Sequence, residues 1–217
     1  MVPRSPGPTK TLRRDARRNR ERLVASAREL FASSGVDVPV EEIVRHAGVG
    51  MGTLYRHFPT KEELVDAVLE EAFGEIVELA EEAAAADEAW AGLVGFFERA
   101  LALHAVNRGL KDVLATGGRG RERADAMRAQ IRPLLRRTIA RAQEQGSLRR
   151  DFAAEDVPFV IWTVGRVIET SAQVAPEYWR RYLGFVLDGL RAEAATPLPA
   201  WPLTRSQLAR ATRGREE

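Results

Sequence analysis

Residues 39–64, PVEEIVRHAGVGMGTLYRHFPTKEEL, constrain the fold of this chain more than any other stretch. Apolar residues recur there at helical spacing and predict a short helix with one buried face: Val40, Ile43, Val44 and Ala47. Gly48 follows this helix, and glycine adopts the left-handed backbone of a tight turn without steric cost. A second short helix is predicted over about residues 51–58, and Pro59 ends it. The pattern therefore predicts a helix-turn-helix.

The second helix of this motif separates its apolar side chains from the others. Leu54 and Phe58 fall on one side at helical spacing, so we expect them to be buried. The remaining residues are expected to face outward: Met51, Gly52, Thr53, Tyr55, Arg56 and His57. Side chains of this size and chemistry suit a DNA major groove. An alternative for Tyr55 is that its ring packs on the first helix and only its hydroxyl is wet.

The string A-G-V-x-x-G-T-L-Y-R-H-F-x-x-K-E-E-L, from Ala47 to Leu64, closely resembles the DNA-binding signature of the TetR family of bacterial transcriptional regulators. Residues upstream resemble the pattern of that family's first helix: Arg22, Leu23, Ala27, Leu30, Phe31 and Gly35. Beyond about residue 76 the resemblance is one of helical layout only. The resemblance implies an all-α protein, with a three-helix DNA-binding domain followed by a helical ligand-binding and dimerisation domain.

The resemblance also implies a set of DNA-binding positions: Val40, Gly50, Met51, Gly52, Thr53, Tyr55, His57 and Lys61. Tyr55 and His57 would contact phosphates or thymine methyl groups, and Lys61 a phosphate. Val40 replaces a frequent threonine of the family and cannot donate its hydrogen bond to the DNA backbone. Gly50 replaces a frequent serine or threonine, so the helix loses a side-chain cap. Gly52 adds no contact beyond close approach of the backbone, so DNA shape is expected to contribute to recognition.

Charge is divided unevenly along the chain, although the net charge is only +2. Residues 1–61 hold 12 Lys/Arg against 6 Asp/Glu, whereas residues 62–88 hold eleven acids and no base. The basic end is therefore the end expected to face phosphate. With no cysteine, no long apolar stretch and no apolar signal region at the start, we expect a bacterial cytoplasmic protein without a membrane span.

Four segments are predicted from composition and periodicity. Residues 1–14 are expected to form a disordered basic arm, either a solubilising tail or an arm that touches phosphate or the minor groove. Residues 15–76 are predicted to form the DNA-binding domain, with the motif at 39–58. A helix over about 15–34 opens this domain, and another begins after Thr60, which with Glu63 predicts a capping box. Residues 77–195 are assigned to the effector and dimerisation domain.

The second domain is predicted to be entirely helical. Helices are expected over about 88–106, 110–115, a stretch holding Met127 to Ala142, 154–173 and 176–194. The last two carry apolar residues nearly all round, so a partner subunit is expected to cover them, and the resembled family forms its homodimer there. Residues 196–217 are expected to be a proline-rich basic tail that packs through Trp201 and Leu203.

The resemblance implies that a small molecule binds in the second domain and releases a palindromic operator from a repressor. The candidate pocket residues are Trp90, Phe97, Leu101, His104, Met127, Trp162 and Arg166. Plainer accounts are core packing for the tryptophans, a satisfied core or dimer-edge position for His104, and an interface ion pair with Glu169 or Asp188 for Arg166. No cofactor or metal site is predicted. An enzyme is disfavoured because no catalytic motif occurs, and a helical adaptor or membrane-surface protein is the remaining alternative.

Overall fold

A computed structural model describes residues 8–106, 118–193 and 195–213. These residues form nine α-helices and no strand. A single isolated bridge joins Leu148 and Arg191. The helices are α1 (Pro8–Ser34), α2 (Val40–Ala47), α3 (Met51–His57), α4 (Lys61–Ala85), α5 (Ala89–Val106), α6 (Gly118–Glu144), α7 (Val157–Ser171), α8 (Trp179–Leu190) and α9 (Arg205–Arg213). The predicted all-α class is confirmed. The predicted helix at 110–115 lies outside the described residues.

The chain forms two compact units, and the division falls within α4. Described residues up to Ala72 belong to the first unit, here called the amino-terminal unit. Residues from Phe73 to Val106 and from Arg121 onward belong to the carboxy-terminal unit. The predicted domain boundary, at residue 76, lies four residues further along the chain.

The first helix is longer than the sequence predicted. It begins at Pro8, so residues 8–14 are helical and the prediction of a disordered arm over 1–14 is wrong for them. Periodicity failed here because it reports where a helix is packed, and none of residues 14–22 is buried, whereas Leu23 is fully buried. Proline is well suited to the first position of a helix, and arginine has a high helical propensity, so both residue types favour helix formation in these turns.

The core of the carboxy-terminal unit is built from buried apolar side chains of the second half of α4 and of α5, α6, α7 and α8. Leu93, Phe97 and Leu101 of α5 are completely buried, and Trp179 of α8 is 1% exposed. Pro133 lies inside α6, as the sequence indicates. Arg141 of α6 donates hydrogen bonds to the carbonyl oxygens of Ala84, at the C-terminal end of α4, and of Asp87, just after it, both at 3.1 Å. These bonds satisfy groups that a helix end otherwise leaves unpaired.

The segment after α8 differs from the prediction. Trp201 is 91% exposed and therefore does not pack as predicted, whereas Leu208 of α9 is 5% exposed and is the buried anchor of this region. The start of the segment is held by Arg149, which donates to the carbonyl oxygens of Gly189 at 2.9 Å and Thr196 at 2.6 Å. Helix α9 was missed because its nine residues, RSQLARATR, carry too few apolar side chains for a clear period.

Candidate nucleic-acid interface

The turn between α2 and α3 depends on glycine. Gly48 has φ 61° and ψ 41°, the left-handed conformation that ends many helices. Its N–H donates to the carbonyl oxygen of Arg45, and the N–H of Val49 donates to that of Val44, both at 3.2 Å. Gly50 then adopts an extended conformation and makes no side-chain cap, while its carbonyl accepts the N–H of Thr53 at 2.8 Å. The predicted helix-turn-helix is confirmed.

Helix α3 divides its side chains as expected. Leu54 and Phe58 are 2% and 4% exposed and pack into the amino-terminal unit, whereas Tyr55 is 51% exposed. An exposed fraction this large must include part of the ring of Tyr55 and not only its hydroxyl group. Gly52 and Arg56 are exposed, and three residues are partly exposed: Met51, Thr53 and His57. Arg56 adds a solvent-facing cation that the predicted set omitted because the resembled motif gave it no role.

A hollow of about 300 Å³ lies beside the end of α3. Its lining brings together three of the predicted DNA-binding positions, Val40, Tyr55 and Lys61, from three different helices. Val40 and Lys61 are the first residues of α2 and α4, so two helix N-termini border the hollow. The first turns of these two helices also hold Glu41, Glu42, Glu62 and Glu63, whose carboxylates oppose an incoming anion, so Lys61 is the lining group that can bind a phosphate.

Helix α4 begins as the sequence predicts. The hydroxyl of Thr60 accepts the N–H of Glu63 at 3.2 Å, which is the N-cap bond of the expected capping box. Lys61 follows the cap directly and is partly exposed. The cap thus fixes the position of Lys61 relative to the end of α3.

Helix α1 is fixed to this motif through charged side chains. A Cβ built on Gly48 would lie 2.8 Å from Nη2 of Arg22, so this guanidinium rests against the turn. The guanidinium of Arg20 lies 5.3 Å from the ring centroid of Phe58, a cation–π distance. His46 of α2 and Glu29 of α1 are 3.5 Å apart. Together these contacts hold the basic side of α1 next to α3.

The candidate effector residues differ in their surroundings within the carboxy-terminal unit. Phe97 and Leu101 are fully buried core residues, and the guanidinium of Arg191 lies 4.3 Å above the ring of Trp90. His104 packs on Gly165, where a Cβ would lie 2.8 Å from its Nε2. Met127 is partly buried on α6. Periodicity identifies a buried stripe, but it does not show whether space remains between the stripes of neighbouring helices.

Trp162 and Arg166 instead line a hollow of about 500 Å³ on the surface of α7 and α8, together with Phe159, Tyr178 and Tyr182. Arg166 pairs with Glu169 on its own helix at 3.0 Å.

Aromatic side chains form an exposed patch on α7 and α8. Phe159 and Trp162 contact edge to face with centroids 5.1 Å apart. Tyr182 contacts Tyr178 at 5.6 Å and Phe185 at 6.0 Å. Phe185 is 56% exposed. Contiguous aromatic surface of this kind marks an interaction site more often than an ordinary wet surface.

The described residues contain no group of three or more His, Cys, Asp or Glu side chains that could hold a metal ion. No helix among them is long and apolar enough to cross a membrane.

Comparisons with known proteins address the two units separately. Residues 23–68 match the model for bacterial regulatory proteins of the TetR family, and residues 88–192 match the C-terminal domain of SbtR-like transcriptional regulators. An HTH-type transcriptional regulator of Staphylococcus aureus is 42% identical over 60 residues, 27% of this chain. The chain spans only about a third of the length of the curated relatives it matches: the 60 matched residues cover 32% of this regulator.

Solved structures resemble a larger part of the chain. A TetR transcription regulatory protein from Mycobacterium vanbaalenii is 34% identical, with a TM-score of 0.65, over 83% of this chain and 99% of that one. A TetR transcriptional regulator from Streptomyces coelicolor is 26% identical, with a TM-score of 0.57, over 79% and 98% of the two chains. The similarity therefore extends well past the helix-turn-helix.

Proposed function

Since the chain belongs to the TetR family of transcriptional regulators, we propose that it binds a palindromic DNA operator as a homodimer, represses transcription and is released by a small molecule. The observation that carries DNA binding is the exposed side of α3 beside Lys61 and the adjoining hollow. A target on the chromosome places the protein in the bacterial cytoplasm.

The α3 face supplies few side chains that can hydrogen-bond to base edges. Gly50 and Gly52 contribute only backbone, and Val40 contributes no donor. We assign Met51 and Thr53 to the bases, and Tyr55, His57 and Lys61 to the phosphates and sugar edges. Phosphate contacts fix the register of the helix, whereas sequence preference also depends on how easily the DNA deforms.

Phosphate binding by His57 and Lys61 is tested by the variants His57→Ala and Lys61→Ala in full-length protein. Each is expected to weaken binding to all duplexes about equally, and Lys61→Ala to reduce the slope of log K against log salt by about 0.9. Arg150→Ala is the control, because Arg150 is an exposed cation of the carboxy-terminal unit. Loss of binding to one operator sequence only, with an unchanged salt slope, would remove these residues from the phosphate contacts.

Dimerisation is proposed through the helices predicted at 154–173 and 176–194, which the structure forms as α7 and α8. A two-fold interface must be complementary to itself, so it needs a protrusion and a recess on one face. The exposed ring of Phe185 and the aromatic hollow beside Tyr182 provide both. Two recognition helices in a dimer would lie one duplex turn apart, about 34 Å, and would therefore favour a palindromic operator.

The interface is tested by Phe185→Glu, with Ala91→Glu at an exposed position of α5 as the control. A buried charge opposes association, so light scattering after size-exclusion chromatography should give a monomer for Phe185→Glu and a dimer for the control. If both variants form dimers with the wild-type association affinity, this face is excluded as the dimer interface.

The effector is proposed to bind in the carboxy-terminal unit. The residues proposed to contact it remain the seven that the sequence predicts: Trp90, Phe97, Leu101, His104, Met127, Trp162 and Arg166. Linkage requires that effector and DNA weaken each other's binding by the same factor, typically about 1–3 kcal/mol. The direct experiment isolates the genomic fragments that the purified protein retains and then screens compounds that release them. Retention of duplex no better than retention of heparin would refute the proposed function.

A further inference from the structure

We propose that a proline-rich segment after α8 reaches across the homodimer and packs its exposed tryptophan on the second copy of the chain. This segment, here called the arm, comprises residues 196–203, TPLPAWPL. The inference rests on the proposed function, because it requires the homodimer. The match to the C-terminal domain of SbtR-like regulators ends at residue 192, so the arm lies beyond the part of the chain that resembles that domain.

The arm carries apolar side chains that its own chain leaves in water. Every residue from Thr196 to Trp201 is exposed. Trp201 is 91% exposed, more than any other large hydrophobic side chain that the structure describes, and Leu198 is 51% exposed. Burial of apolar surface is favourable, and tryptophan is enriched in the cores of protein–protein interfaces. The arm therefore has the composition of a contact surface.

The path of the arm is fixed at both of its ends. At the start, the buried guanidinium of Arg149 donates to the carbonyl oxygen of Thr196 at 2.6 Å. At the far end, the N–H of Thr204 donates to the side-chain oxygen of Gln207 at 2.8 Å, and the Thr204 hydroxyl accepts the N–H of Gln207 at 3.3 Å. This reciprocal cap begins α9, in which Leu208 is buried.

Proline restricts the backbone between these two ends. Pro197, Pro199 and Pro202 each have a fixed φ, so the free arm samples few conformations. A segment that is already restricted loses little conformational entropy when it binds, and more of its contact energy therefore appears as affinity. The arm thus presents Trp201 from a backbone that needs little ordering.

The arm begins at the end of the exposed aromatic stripe of α8. Tyr182, Phe185 and Gly189 lie on one side of this helix at a spacing of three and four residues, and all three are exposed. Arg149, which holds Thr196, also donates to the carbonyl oxygen of Gly189 at 2.9 Å. Trp201 follows Thr196 by five residues and so lies within about 18 Å of it. The arm is therefore continuous with the face proposed for dimerisation.

A second copy of the chain supplies the surface that such an arm requires. Proline-rich segments bind grooves lined with aromatic side chains. The hollow of about 500 Å³ on α7 and α8 is lined by aromatic rings, among them Phe159, Trp162 and Tyr178. Two-fold symmetry would repeat the contact, with each arm on the other copy. Tethering next to the main interface also gives the arm a high effective concentration, which a separate protein lacks.

The energetic test is the dissociation constant of the full-length dimer, measured by sedimentation equilibrium. If Trp201 is a central contact, Trp201→Ala should raise this constant at least about thirtyfold. Trp201→Phe should recover most of the loss, because an aromatic ring remains. Val106→Ala is the matched control, since Val106 is a 61% exposed apolar residue at the end of α5. Far-UV circular dichroism of each variant should give wild-type helix content.

The positional test uses the absence of cysteine from the chain. Ala200→Cys places one thiol beside Trp201 at an exposed position, and benzophenone maleimide attached to it captures neighbouring peptides on illumination. Mixing isotope-labelled and unlabelled protein separates cross-links between copies from cross-links within one chain. We expect a covalent dimer with attachment to peptides of α7 or α8. Ala91→Cys on α5, treated in the same way, should give no covalent dimer.

Three results would overturn the inference. The first is a dimer that Phe185→Glu disrupts but that Trp201→Ala leaves at wild-type affinity; this result refutes the arm and keeps the proposed dimer. The second is cross-linking from position 200 only within its own chain, or to no peptide, in a protein that light scattering shows to be dimeric. The third is a wild-type chain that stays monomeric at every concentration, in which case the proposed homodimer fails and the arm fails with it.

Discussion

The substitution Gly52→Ala should raise the stability of the protein and lower its affinity for DNA. Gly52 is the second residue of α3, and a Cβ at this position would meet no atom within 4 Å. Alanine has a helical propensity about 0.8–1.0 kcal/mol better than glycine in a helix interior. Near the start of a seven-residue helix we take about half of that gain, roughly 0.5 kcal/mol, which for a chain of this size is a rise in melting temperature of about 1–2 °C.

The effect on DNA has the opposite sign because Gly52 is exposed on the proposed reading surface. If the backbone of α3 lies against the groove wall there, a methyl group overfills the contact. Overpacking of this kind costs about 1–3 kcal/mol, equivalent to a loss of affinity between roughly fivefold and a hundredfold. The affinity is measured by fluorescence anisotropy with an operator duplex recovered from the genome.

Gly74→Ala is the matched control. Gly74 is exposed in the interior of α4, and a Cβ there also meets no atom within 4 Å. This variant should gain about 1 kcal/mol of stability, or about 2–4 °C in melting temperature, with unchanged DNA affinity. Equal DNA affinity for Gly52→Ala and Gly74→Ala would refute close approach at Gly52. A loss of stability in Gly52→Ala would refute the assignment of open space around it.

Three further predictions concern the turn, the ion pair and the core. Gly48→Ala and Gly35→Ala should each lower the free energy of unfolding by about 1–2 kcal/mol, since both glycines have positive φ. Only Gly48→Ala should weaken DNA binding in anisotropy titrations. The hydrogen bonds of Arg149 hold the pKa of Asp151 below its usual value, so the pair stabilises the fold fully above about pH 4 and less as pH falls through the lowered pKa. Asp151→Asn should therefore be less stable than the wild type at pH 7, and its stability should decline less steeply as the pH is lowered. Urea unfolding at a series of pH values measures both effects. Phe97→Ala should cost about 3–5 kcal/mol by the same method, because the side chain is fully buried.

The helix-turn-helix could be predicted from the sequence because its determinants are local. The turn needs positive φ at Gly48, the start of α4 needs a hydroxyl at Thr60, and both requirements are visible as residue types. The burial of Leu54 and Phe58 likewise follows from their spacing on one short helix. Each of these features involves residues within a few positions of one another, so no knowledge of the tertiary packing was required.

The burial of side chains in the carboxy-terminal unit could not be predicted in the same way. Trp201 is large and apolar, yet it is exposed, and the smaller Leu208 is buried instead. The hydrophobicity of a side chain indicates how much its burial would stabilise the fold. Whether the side chain is buried depends on the space that helices distant in the sequence leave for it. Trp90 shows the same limit, because the residue that covers its ring is Arg191, about a hundred positions later in the chain.

The separation of charge along the chain supports the proposed role of the amino-terminal unit in DNA binding. Residues 1–61 carry a net charge of +6, whereas residues 62–88 carry eleven acids and no base. Exposed acids repel phosphates within about a Debye length, near 8 Å at physiological salt. DNA that approaches the later turns of α4 is therefore disfavoured, while DNA that approaches the exposed Arg14, Arg17 and Arg18 of α1 is attracted. This field orients the protein before any base is contacted, and because it acts through screened charges, raising the salt should slow association more than it speeds dissociation.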